Sequence, residues 1–69
     1  MTEEHRRIYR AAFDFQEAHR PPKGATHEWW VQMAKDAGKA LLTLGNAPFA
    51  VDMFSAVINQ IEREAKEHG

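Results

Sequence analysis

Two backbone breaks divide this chain, and between them they limit what it can become. The first, Arg20-Pro21-Pro22-Lys23-Gly24, sets paired prolines that cannot continue a helix before a glycine that frees the backbone to turn. The second, Gly45-Asn46-Ala47-Pro48, offers Gly45 for a left-handed C-terminal cap and Asn46 to cap the helix that follows. Pro48 falls in that helix's first turn, where a missing N–H is tolerated. The segments between the breaks show helical periodicity and no period-two alternation, so the expected fold is all-α. Helices are expected over about residues 3–19, 27–44 and 47–67, with Thr2 and Thr26 capping the first two. At 69 residues there is room for one domain, 1–69, and no second.

The apolar residues spread widely around each helix. On the third, Asp52, Ser55, Asn59, Glu62, Arg63 and Lys66 fall within an arc of roughly 100° and leave the rest largely hydrophobic. The second helix, with Trp29, Trp30, Val31, Met33, Leu41, Leu42 and Leu44, is similar. Arcs of about 200° exceed what a lone three-helix subunit needs, and the ordinary remedy is a symmetric homo-oligomer. Val51, Phe54, Val57, Ile58 and Ile61 are the expected subunit interface, with the third helix covered on two sides. The stretch 40–61 has a single charge, Asp52, but Gly45, Asn46 and Pro48 cut it below membrane-spanning length.

Several function classes lose their footing on the residues. Nine Lys and Arg against ten Asp and Glu give a net charge of −1, which does not suit a surface that seeks polyanions. A helix-turn-helix DNA reader would place its reading helix over residues 49–61, which hold no Lys or Arg. His27-Glu28-Trp29-Trp30-Val31 begins like a zinc-protease helix but has Val31 where the second histidine belongs. Four histidines (His5, His19, His27, His68) without cysteine make a poor metal set, and Ser55 as the only serine gives a catalytic triad little to build on. No enzyme and no cofactor are expected. The cysteine-free composition and the charged stretch 1–10, without an apolar run, point to a reducing, cytoplasmic setting.

The segment most suggestive of a ligand surrounds the first break. A helix N-terminus carries unpaired N–H groups and partial positive charge, and here Thr26 opens the second helix with Arg20, Lys23, His19 and His27 nearby. Trp30 adds a stacking face. If the first two helices run antiparallel, Gln16 and, one or two turns back, Tyr9 face the same end. Phosphate handles beside aromatic planes suit a small anionic, nucleotide-type molecule. Glu28 opposes that reading unless it turns outward. The pairs Arg10–Asp14 and Glu62–Lys66 have the spacing of ordinary surface ion pairs.

Trp29-Trp30, Asp36-Ala37-Gly38-Lys39, Gly45-Asn46-Ala47-Pro48-Phe49-Ala50-Val51-Asp52, Ala56-Val57 and Ile61-Glu62-Arg63 together resemble a group of small all-helical phage and prophage proteins of Gram-positive bacteria. The likeness covers about residues 8–66 and carries over no binding or catalytic residue. It implies a setting: a viral protein made inside a bacterial cell, where small oligomers antagonise host defence. The expected function is sequestration of an anionic immune signal. The alternative is inhibition of a host or phage protein, or an adaptor role, through the apolar helix surface.

Overall fold

The structure, a computed structural model, describes residues 2–68, and for His68 the backbone alone. Three helices follow in order, α1 (Glu3–Ala18), α2 (His27–Thr43) and α3 (Pro48–His68), and there is no strand among the described residues. Thr2 and Thr26 cap as the sequence indicates: their hydroxyl oxygens accept from the N–H of His5 at 3.1 Å and of Trp29 at 3.2 Å.

The second break differs from expectation in one residue. Gly45 and Asn46 both take positive φ, 68° and 52°. The Gly45 N–H donates to the Leu42 carbonyl at 3.0 Å and the Asn46 N–H to the Leu41 carbonyl at 2.8 Å, the paired bonds of a Schellman ending. Asn46 therefore finishes α2 instead of capping α3, which begins at Pro48 with the Val51 N–H donating to Ala47. A left-handed backbone is tolerated by asparagine better than by most side chains, so the residue suits the place it takes.

The helices run up, down and up. Tyr9 meets Phe49 and Phe15 meets Phe54, so α1 and α3 are parallel, whereas Arg7 reaches Thr43 and His19 reaches Asp36, so α2 returns between them. α1 and α3 make the tightest pair, α2 rests on α3, and α1 touches α2 least. Each helix contributes a narrow seam at i, i+4, i+7 spacing: Ile8, Ala12 and Phe15 from α1, and Ala50, Phe54, Val57 and Ile61 from α3. Met33 and Ala37 close the core from α2.

The wide apolar arc of α3 is thus used mostly within its own subunit. Phe54, Val57 and Ile61 are core residues, shielded by α1 and α2, and have little surface to give a partner. Of the expected interface set only Val51 stays exposed, and Ile58 is half-buried against the core. The arc ran too wide because residues on its edges also fill the grooves between three helices. The large apolar side chains left most open lie elsewhere, Leu42 (69%) on α2 and Phe13 (61%) on α1.

Candidate functional site

The residues expected to gather around the first break are held in several separate arrangements. His19 is the most constrained of them. Its ring stacks on Phe15 at 4.1 Å, Nδ1 lies 2.8 Å from the Phe15 carbonyl oxygen, and Nε2 lies 2.9 Å from Asp36 Oδ2. The ring thus bridges a backbone carbonyl of its own helix and a carboxylate of the next. Gln32 donates to the other Asp36 oxygen at 2.9 Å. His19 is a clamp between the end of α1 and the middle of α2, not a free ligand group.

Hydrogen bonds from His19 first, and from Gln32 second, hold the Asp36 carboxyl below its ordinary value against an opposing desolvation, and the charges of His19 and Lys39 add lesser contributions in the same downward direction. A carboxylate whose folded value is depressed stabilises the fold fully above its unfolded value, and that contribution disappears as pH falls through the folded one. The melting-temperature difference between the wild type and Asp36→Asn is therefore expected to be present above the ordinary carboxylate value of about 4 and to shrink as pH falls below it. A difference that stays constant as the solution is acidified would contradict the clamp.

Arg20 and Gln16 are also engaged within the subunit. Both Arg20 Nη2 (2.7 Å) and Nε (3.1 Å) donate to Glu17 Oε2, and this pairing raises the guanidinium further above its ordinary value. Gln16 Nε2 donates to Glu64 Oε1 at 3.5 Å and ties α1 to α3. Thr26 spends its hydroxyl on the α2 cap. Lys23 and His27 remain exposed with no ion pair among the described residues, and neither lines any of the three hollows described here.

Trp30 faces elsewhere. It stands edge-on to Trp29 at 4.9 Å and lines a shallow hollow of about 370 Å³ with Glu62, Ala65 and Lys66 of α3. Tyr9 lies nearer the start of α1, about 10 Å along the helix axis from Gln16 by helical rise. Phe49 packs edge-on against it at 5.3 Å, and His5 adjoins the same ring at 5.1 Å.

Around Tyr9 lies a concavity of about 520 Å³, lined by Glu3, Arg6, Arg7, Tyr9 and Arg10. Three of the chain's nine cationic residues stand here within five positions. None of them is paired with a carboxylate: the ion pairs among the described residues are His19–Asp36 and Arg20–Glu17. The Arg10–Asp14 and Glu62–Lys66 spacings do not close into ion pairs. Arg7 Nη2 approaches the Thr43 carbonyl at 3.5 Å, at the negative end of the α2 dipole. Glu3 is the one acid in the lining, so three positive charges face one negative. Sequence reasoning did not single out this cluster, although the Arg6/Arg10 spacing of one turn was there to read.

Among the described residues no three His, Asp or Glu side chains come together as a metal site, and no helix is long and apolar enough to cross a membrane. The side chain of His68, counted above among the four histidines, lies outside the described residues. No protein-family model matches the chain, and neither a curated protein nor a solved structure matches it significantly.

Proposed function

We propose that this protein acts by binding, as a homo-oligomer that sequesters a small phosphate-bearing ligand of nucleotide type. The observation that carries the reading is the concavity lined by Arg6, Arg7 and Arg10, guanidiniums without carboxylate partners, with Tyr9 at its side. A guanidinium offers a rigid fork of donors that matches two phosphate oxygens at once, and a tyrosine ring offers a plane for a base. The contact with Phe49 holds that ring in place before any ligand arrives. In the phage setting that the resemblance implies, the ligand is an immune signal and binding withdraws it from the host. The anion site of this reading lies on α1, not at the first break.

A ligand that binds only the folded chain raises its melting temperature, by an amount corresponding to about 2.7 kcal/mol at 100 times Kd. Cyclic dinucleotides and ADP-ribose at millimolar concentration are expected to shift the melting temperature of the wild type and of Lys23→Ala, but not of Arg6→Ala/Arg10→Ala. No shift with any of them overturns the reading. A shift lost in Lys23→Ala and kept in the arginine variant returns the site to the first break.

One observation favours a second reading, the inhibitor or adaptor. Phe13 is 61% exposed one turn beyond Tyr9 and beside Arg10, and aromatic residues with arginine make up the energetic centres of protein interfaces.

A further inference from the structure

The outer face of α2 is unpartnered within the subunit. Val31, Ala34, Gly38 and Leu42 are all exposed and fall within roughly 80° of one another around the helix axis. Gly38 stands in the middle of a 17-residue helix, where glycine is less favourable than alanine, and nothing in the subunit explains it: a Cβ built there meets no atom within 4 Å. One flank of this face carries Glu28, Gln32, Lys35 and Lys39, and none of the three charged residues has an ion pair among the described residues.

We infer that this face binds a second copy of the chain, with the two α2 helices antiparallel about a two-fold axis at Ala34. Antiparallel helices related by such an axis bring the same flank of each together. Val31 and Gly38 lie three and four residues from Ala34 on opposite sides, so Val31 seats over the partner subunit's Gly38, where the missing side chain leaves room. Glu28 and Lys39 lie six and five residues away, so Glu28 comes beside the partner subunit's Lys39. Lys35 stands near the partner subunit's Gln32, and Leu42 covers the start of the partner's α2. One helix face thus supplies projection and hollow, anion and cation, at matching distances from a single point. That self-complementarity is what a two-fold contact requires and what an unrelated partner does not explain. The inference rests on the homo-oligomeric part of the proposed function and places the contact on α2 instead of α3.

Sedimentation of the full chain over about 1–100 μM tests it, because dissociation is read directly from mass against concentration. Gly38→Leu keeps a helix-compatible side chain in open space, so the subunit stays folded by circular dichroism while the close approach is blocked. Glu28→Lys sets like charges together, and Glu28→Lys/Lys39→Glu restores attraction. The expected result is a wild-type dimer, a dissociation constant raised roughly tenfold or more by each single variant, and recovery in the double variant. A wild-type assembly that all three variants leave unchanged overturns the α2 contact and leaves the homo-oligomer standing. A wild type that sediments as a single chain across the range overturns both, while the ligand reading keeps its own separate test.

Discussion

Phe54→Ala is expected to remove about 3–5 kcal/mol of stability. The side chain is 1% exposed and sits where all three helices meet, its ring 5.2 Å from that of Phe15 and in one cluster with Met33 and Ala37. Small domains hold roughly 0.05–0.15 kcal/mol per residue, so for 69 residues this is a large part of the total. Urea unfolding followed by circular dichroism should show the midpoint collapse, and by the same amount at low and high protein concentration. The independence from concentration matters, because it separates a residue that packs its own subunit from one that packs a neighbour. A loss below about 1 kcal/mol, or one that grows on dilution, would return Phe54 to the subunit interface the sequence first suggested.

Ile8→Ala carries the second large effect, about 2–5 kcal/mol. Ile8 is 2% exposed and lies outside the main cluster, toward the end of the bundle where α1 meets Leu44. An adjoining hollow of about 320 Å³, lined also by Glu3, Glu4 and Arg7, gives neighbouring side chains room to relax. The loss is therefore expected toward the lower end of that interval, since the cost of a truncation depends on how far its site can collapse. Arg7 borders both this hollow and the concavity proposed for the ligand. Ile8→Ala is accordingly expected to weaken ligand binding as well as the fold, whereas Phe54→Ala at a temperature where it remains folded should weaken the fold alone. Chemical denaturation and nucleotide titration of the same two proteins check both halves.

What could be read in advance was whatever depends on neighbours in sequence. Thr2, Thr26, Gly45 and Pro48 each act through the backbone within four residues, and each takes the place its chemistry suggests. Asn46 went astray because a Schellman ending can use two left-handed residues in succession, and spacing alone does not say which helix an asparagine serves. The Arg20–Glu17 pairing is local as well, three residues apart, yet the sequence reading turned Arg20 toward an anion and named Arg10–Asp14 and Glu62–Lys66 instead, because spacing alone does not say which of several possible pairs closes. His19–Asp36 and Gln16–Glu64 join residues 17 and 48 positions apart, and nothing in the pattern of either helix announces them.

The apolar surface was misplaced for a related reason. A helical wheel adds up every hydrophobic residue on an arc but does not subtract those the subunit needs for its own seams. Phe54, Val57 and Ile61 are used in the core, and what remains uncovered is Val51 on α3, Leu42 and Val31 on α2, and Phe13 and Tyr9 on α1. The surfaces on α1 and α2 carry arginine, lysine or glutamate beside their apolar residues, which suits them to specific contact better than to general stickiness.

A native mass spectrum of the purified chain, taken alone and after addition of a cyclic dinucleotide, weighs the whole reading at once. Binding by a symmetric assembly predicts an even number of subunits that gains whole ligand masses in fixed ratio, with Arg6→Ala/Arg10→Ala keeping the subunit number and gaining none. A lone chain that acquires no ligand mass at any concentration would contradict it.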